Sequence, residues 1–383
     1  MSDEAELIVD CAAAPDDDRP RLVYADFLQQ RGDPRGDFIA LQCAYEVARA
    51  ADDDSLSVKL AKRWRKLLDE HEVQWVTGAR SVLRRSMKFR RGFIEHALLD
   101  DAEELGTVMT QLRPYAPLLR AIDLQRGLGA LGRHPSLSVI DEVVAHNAID
   151  LADLQALERA AGRSDLRMLT CAGTGLTDLA LTALVQLSQP LARLEFSLEN
   201  RPTRRIPILG RLAATPARQH LRDLRIRGPA TLDDVAEILP QLPQLETLVI
   251  HNGAPTAISL QRLAEAGPQL VSLEIAVHDS NVPSGVDVRS LVGAMPKLRY
   301  LRLENLGITD AQVYWLASSK RLEQLVRLDL GDNQLGPGAV ALCESPHAVN
   351  LRKLKLSGNP LSQADKDAIR ATPLADQRRV FVR

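Results

Sequence analysis

The chain has 383 residues, of which 45% are hydrophobic but only 4% aromatic, and a formal net charge of -2. That length exceeds one ordinary globular domain unless the chain is a repeat array, and with so few aromatics Leu and Ala must fill the interior. The small net charge argues against a protein that coats nucleic acid through bulk charge.

The opening MSDEAELIVD is acidic and lacks a basic stretch followed by an apolar run, so it does not read as a secretory signal. No run of about 18 apolar residues occurs, and no membrane association is expected. Cys11, Cys43, Cys171 and Cys343 are far apart without a C-x-x-C pair. They are expected to be buried free thiols of a cytoplasmic protein.

Residues 1–80 read as an all-α domain. The pattern predicts a helix near Ala5–Ala14, a second after PDDDRP, a third near Asp37–Ala50 and a fourth near Leu56–Trp75. Pro15 and the Asp run suit a helix start, because Asp caps the free N–H groups and meets the positive end of the dipole. Gly32 and Pro34 suit a stop and restart. The segment PDDDRPRLVYADFLQQRGDPRGDFIALQ (Pro15–Gln42) resembles the bacterial repeat-companion domain, a short helical module ahead of leucine-rich-type repeats. Phe27 replaces the usual Trp, Gln29 and Gln30 the acidic pair, and Asp37 the Glu. The resemblance implies an architecture and carries no biochemical activity with it.

Residues 81–118 are expected to link and cap. Gly92–Leu99 predicts a first strand and Asp101–Leu112 a helix, covering the open end that a solenoid would otherwise expose.

From residue 119 to 383 a spacing recurs. LVRLDLGDNQL (Leu325–Leu335) and LRKLKLSGNPL (Leu351–Leu361) both fit L-x-x-L-x-L-x-x-N-x-L. Traced backwards, units start at Leu351, Leu325, Leu298, Leu270, Leu245, Leu221, Leu191, Leu166, Val139 and Leu119. The mean interval is about 26 residues, inside the roughly 20–29 of leucine-rich repeats. The unit at Val139 fits worst, with Glu142 in an apolar slot. In x-L-x-L-x the Leu pair points inward and the x residues outward, and neighbouring strands pair in parallel. Asn333 and Asn359 are placed to bond backbone at the turn. Between strands, ITDAQVYWLASSKRL, TLDDVAEILPQL and LTDLALTALVQL have helical spacing. Helices are wider than strands, so the expected object is an α/β curved solenoid of about ten units, strands concave and helices convex. It resembles the ribonuclease-inhibitor-like class of leucine-rich repeats from about Leu119 to Leu361. LSQADKDAIRATP and the polar tail are expected to close it.

Candidate chemistry is sparse. PDDD lacks D-x-D-x-D-G spacing and reads as a helix cap, not a calcium loop. No H-E-x-x-H, G-x-S-x-G or G-x-x-x-x-G-K-[ST] is present, and GLGALG (Gly127–Gly132) reads as a turn. His251 and His278 sit on adjacent units near the concave surface, more as a solvated rim than as a metal pair. Cys343 precedes Glu344, as in the cysteine ligase domains of some bacterial repeat effectors, but no extra domain is left to hold it. No cofactor, metal or catalytic residue is expected.

Two basic runs stand out: Arg80–Arg91, and Arg201–Arg227 with Arg201, Arg204, Arg205, Arg211, Arg218, Arg222, Arg225 and Arg227 against Asp223. The second spans the longest interval, so a loop is expected there. Without interleaved aromatics it suits an acidic protein partner better than RNA. The template places Asp123, Arg193, Glu195, Asp223, Arg225 and Arg227 outward on the strands. It places His251, Glu274, Tyr300, Arg302 and Glu304 there too, followed by Arg327, Asp329, Lys353 and Lys355. This mixed-sign face suits a charge-matched protein partner, with Arg and Tyr as anchors. The reading is a non-catalytic interaction module, an adaptor or inhibitor. The alternatives are an enzyme site between the helical domain and the first repeats, or RNA binding through 201–227.

Overall fold

The computed structural model describes residues 2–82, 87–162, 166–173, 176–198, 209–212, 215, 219–228, 232–252, 255–278, 287–376 and 380–382. The chain divides into two compact units, Met1–His146 with Arg159–Leu166, and Asn147–Glu158 with Arg167–Arg383.

The first unit opens with four helices, α1 (Ser2–Ala13), α2 (Asp18–Gln30), α3 (Pro34–Ala50) and α4 (Asp54–Val82). Asp17 caps α2 by accepting the Arg19 N–H at 2.9 Å, and Asp33 caps α3 through Arg35 N–H at 2.8 Å with Pro34 at the first helical position. Helix α4 runs past the expected end at Trp75. Val76 and Ala79 continue its buried face, and Gly78 makes room for Tyr115, whose ring a Cβ would meet at 2.1 Å. Tyr24, Leu28, Ile39, Cys11 and Cys43 pack with Phe93 and Leu118 in one apolar cluster.

Strands β1 (Met87–Arg90) and β2 (Phe93–Asp101) form an antiparallel hairpin; β3 (Ala121–Arg126) and β4 (Glu142–Ala145) then add in parallel. The hairpin partner β1 had no signal in the repeat template. A short helix, Leu105–Leu112, follows β2. The weakest repeat is shifted by one residue from the predicted register. Ile140, Val143 and Ala145 are buried, while Val139 is 42% exposed. Starting the unit at Ile140 turns Glu142 outward, and a one-residue slip inverts every side chain of a strand. GLGALG contributes to a six-residue helix, Leu128–Arg133, in place of the expected turn.

In the second unit the described strands follow chain order: β5 (Met168–Cys171), β6 (Arg193–Ser197), β7 (Asp223–Arg227), β8 (Thr247–His251), β9 (Ser272–Ala276), β10 (Tyr300–Glu304), β11 (Arg327–Asp329), β12 (Lys353–Lys355) and β13 (Val380–Phe381). Each pairs in parallel with the next. Helices return the chain between strands, among them Asp178–Val185, Ala257–Ala266 and Asp310–Ala317. This in-register alternation of one strand and one helical return per unit is a leucine-rich repeat solenoid. The last strand, β13, comes from the polar tail that was expected to close the array; it covers the free edge of β12.

Polar side chains stitch one unit to the next. Asn333, 5% exposed, accepts the N–H groups of Leu306 and Ile308 at 3.0 and 3.1 Å and donates to the carbonyls of Leu303 and Gly331 at 2.7 and 3.0 Å. Asn359 repeats this one unit on, bonding Leu335 N–H and the carbonyls of Leu330 and Leu356. Four residues past the first inward strand Leu, the chain turns left-handed at Gly228, Asn252, Asn305, Asp332 and Gly358, residue types that tolerate positive φ. The units of β5, β6 and β9 depart from this pattern, with Gly173, Leu198 and Val277 in the slot. At Gly358 φ is +77°, and a Cβ would meet Asp332 Oδ1 at 1.9 Å. Gly358→Ala will therefore cost about 1–3 kcal/mol. Calorimetry should show its thermal midpoint falling by several degrees, while Gly293→Ala, with open space at its Cβ, loses nothing.

Candidate protein-interaction face

Parallel pairing aligns the outward side chains of the second unit into three rows. The first runs Arg193, Asp223, Thr247, Ser272, Tyr300, Arg327, Lys353. The second runs Glu195, Arg225, Val249, Glu274, Arg302, Asp329, Lys355, and the third Ser197, Arg227, His251, Ala276, Glu304. All of the predicted outward residues of this unit sit in these rows.

Their charges are laced into two groups. On β6 and β7, Asp223 is held by Arg193 at 2.7 Å and Arg225 at 2.9 Å, and Glu195 by Arg227 at 2.7 Å. On β8 to β12, Glu274 takes His251 at 2.6 Å and Arg302. Arg302 also reaches Glu304, and Asp329 at 3.4 Å, while Lys355 lies 3.3 Å from both Glu304 and Asp329. Asp223 and Glu304 are thereby covered, at 9% and 8% exposure, beneath their cations. Exposed ion pairs contribute little stability, typically 0–1 kcal/mol; what such a lattice does is hold long side chains in set directions.

Electrostatics follow. Burial alone would raise the Glu274 carboxyl, but the His251 hydrogen bond and the Arg302 charge outweigh it and hold it below the usual carboxylate range. Glu304 behaves alike: burial opposes ionisation, and Arg302 followed by Lys355 wins. His278 joins His251 edge-on, ring centroids 6.1 Å apart.

Around Tyr300 the face sinks into a hollow of about 300 Å³, lined by Tyr300, Arg302, Arg327, Asp329, Lys353 and Lys355 among others. The repeat template lists these positions but does not reveal that they enclose a hollow, because its depth depends on rotamers. The Arg327 guanidinium lies 5.9 Å from the Tyr300 ring centroid, and Lys353 Nζ 5.3 Å from that of Phe381.

In the first unit, Asp123 faces outward with His96 at 2.8 Å, Lys88 at 3.5 Å and His146 at 3.9 Å. The acidic run divides its roles. Asp17 caps, as expected, but Asp16 binds Arg120 at 2.7 Å and Asp18 binds Arg91 at 3.1 Å. Arg21, fully buried, meets Glu95 at 2.7 Å. A buried Arg within an amphipathic helix pattern looks like a surface residue in sequence, so the sequence does not announce this pair.

Of the Arg201–Arg227 run, Arg201, Arg204, Arg205 and Arg218 lie outside the described residues, as do Arg84 and Arg85 of the first run. Arg222 pairs with Glu246 at 3.1 Å. All four cysteines are buried and free. Burial pushes the Cys343 thiol up to about 12, with Glu344 adding to it, which disfavours the thiolate form. Among the described residues no cluster of three or more His, Cys, Asp or Glu could hold a metal ion, and no helix is long and apolar enough to cross a membrane.

Neither a protein-family model nor a curated protein matches the chain. Solved structures similar to it include a TLR13–ssRNA13 complex, at 17% identity over 70% of this chain and 36% of that one, with a TM-score of 0.41. An internalin (inlF) from Listeria monocytogenes str. 4b F2365 aligns at 19% identity over 80% and 93% of the two chains, TM-score 0.38. An internalin C2 (inlC2) from the same strain aligns at 19% identity over 66% and 91%, TM-score 0.35. The chain spans about a third of the TLR13 chain.

Proposed function

We propose that this chain is a non-catalytic protein-interaction module, an adaptor or inhibitor of the bacterial cytoplasm, that binds a protein partner on the outward strand face of its solenoid. The residues assigned to the partner are Arg193, Glu195, Arg225, Arg227, His251, Glu274, Tyr300, Arg302, Arg327, Asp329, Lys353 and Lys355, with Asp223 and Glu304 orienting the cations above them. Residues 1–80 serve as the repeat-companion domain and 81–118 as the cap.

The observation that carries this reading is the ion-pair lattice. Long side chains on an open surface normally pay rotamer entropy when they are fixed on binding. Here Arg193, Arg225, Arg227 and Arg302 are already held by neighbouring carboxylates. Charge patterns held in this way set partner choice and association rate. Affinity capture from native lysate tests it, with the intact chain and an Arg225→Glu, Arg227→Glu, Arg302→Glu variant as baits. One specific protein should fall at least tenfold in recovery on the variant; equal recovery on both baits would move the site off this face.

A further inference from the structure

Helix α4 carries a basic stretch that the strand face does not involve. KLAKRWRK (Lys59–Lys66) holds five cations and no acid. Its apolar side is turned into the helical domain. Leu60 and Ala61 are buried, and Trp64 packs edge-on to Phe38 and Tyr45 of α3, with ring centroids 6.3 and 5.9 Å apart. Lys59, Lys62, Arg63 and Lys66 follow the other side at steps of three and four residues, and all four are exposed. At about 1.5 Å of rise per residue the row is about 10 Å long. Lys66 has Glu70 one turn on, at 3.8 Å. Among the described residues Lys59, Lys62 and Arg63 meet no carboxylate within ion-pair distance. Like charges at these spacings destabilise a helix, so the free protein holds a repulsion that a bound anion relieves. Acids bracket the row, Asp53 and Asp54 at the start of α4 and Asp69 and Glu70 beyond Lys66. Beside its first turn lie Leu56 and Val58, 44% and 68% exposed.

We infer that this row docks a short acidic helix of another protein, about two turns long, its carboxylates against Lys59, Lys62, Arg63 and Lys66 and its apolar side chains against Leu56 and Val58. The site belongs to the helical domain and stands whether or not the strand face binds protein. Carboxylates recurring every three and four residues on a helix have the same pitch as the row, so several pairs form together. Arg63 can take a carboxylate through two parallel hydrogen bonds, which adds direction to charge. The exposed apolar pair gives the partner area to bury, which charge alone does not supply. A nucleic acid strand fits less well. Its phosphates continue past about 10 Å and would meet the bracketing acids. Its bases need aromatic platforms, and Trp64, the one ring in the stretch, is packed on Phe38 and Tyr45 with the Arg65 guanidinium 5.2 Å from its centroid.

Fluorescence anisotropy with the full chain tests this. The probes are a labelled peptide of three Glu-Ala-Leu-Glu repeats, its Gln-Ala-Leu-Gln counterpart and a dodecauridylate. The acidic peptide should bind at least tenfold tighter than the neutral one, and weaken several-fold between about 50 and about 300 mM salt as the screening length shortens. The Lys59→Glu, Lys62→Glu, Arg63→Glu variant should lose at least tenfold, and the Arg225→Glu, Arg227→Glu, Arg302→Glu variant of the strand face less than twofold. Glu is a good helix former, so α4 should survive the reversal. If circular dichroism shows the triple reversal misfolded, Lys59→Gln, Lys62→Gln, Arg63→Gln replaces it, with a loss of several-fold expected. No binding of the acidic peptide, equal affinity for the two peptides, or no loss in the α4 variant would overturn the inference. An equal or larger loss in the strand-face variant would overturn it by moving the peptide to that face. Tighter binding of dodecauridylate would overturn it in favour of nucleic acid.

Discussion

Replacing Arg21 with Ala will destabilise the first unit by about 3–5 kcal/mol, the usual result of stripping one partner from a buried ion pair. Arg21 is 0% exposed and Glu95 2%. Their 2.7 Å contact is reinforced where Arg21 donates to the Pro15 carbonyl at 2.8 Å and the Arg91 carbonyl at 3.3 Å. Glu95 continues to Arg120 at 3.3 Å, and Arg120 to Asp16 and Asp141 at 2.7 and 3.2 Å. Without Arg21 the Glu95 carboxylate, 2% exposed, keeps Arg120 as its cation among the described residues. The measurement is urea unfolding followed by Trp fluorescence in a Trp315→Phe background, where the remaining Trp64 and Trp75 both belong to the first unit. The paired change Arg21→Met, Glu95→Leu should recover most of the loss, because no charge is then stranded. A single Arg21→Ala change costing under about 1 kcal/mol would show that solvent or a rearranged Arg120 compensates.

The second large effect is expected at Asn333. Asn333→Ala removes the partner of two backbone N–H groups and two carbonyls at once. Each buried group left unbonded costs about 1–3 kcal/mol, and with some relaxation the total should reach about 3 kcal/mol. Amide hydrogen exchange reads this locally. Protection of the Leu306 and Ile308 amides should fall roughly a hundredfold, the equivalent of about 3 kcal/mol. Asn359→Ala should cost less, since Asn359 is less buried and makes three such bonds. The reverse ranking would mean that the side chains fill space and do not bridge units.

Much of the architecture is legible in the sequence. The inward pairs Leu328 and Leu330, or Leu354 and Leu356, announce their strands because the side-chain period of a strand is two and these units repeat it at near-constant spacing. The Asn slots announced bonds to the backbone of the turn; that the same side chains also reach the preceding unit is decided by the stacking. Where apolar identity weakened, register was lost: at Val139 and Ile140 two adjacent β-branched residues fit the template almost equally, and burial of Ile140 decided between them. Strand β13 escaped because Val380 and Phe381 stand in a tail without a repeat, and an edge strand is specified by the neighbour that offers it hydrogen bonds.

Sequence alone determined which side chains leave the strands outward, since alternation is a local property of the backbone. It determined the helical character of residues 1–80 through caps and spacing, and pointed to buried free cysteines through their wide separation without a C-x-x-C pair. Tertiary structure alone decided which outward charges meet. Arg302 reaches Glu274 and Asp329 across 28 and 27 positions of sequence, distances set by the length of each helical return. It also decided that Asp223 and Glu304 lie under their cations, that Arg21 is inside, and that Tyr300, Arg327 and Lys353 line one hollow. Coulomb attraction falls with separation in space and not along the chain; a charge's partner is therefore known once the strands are stacked.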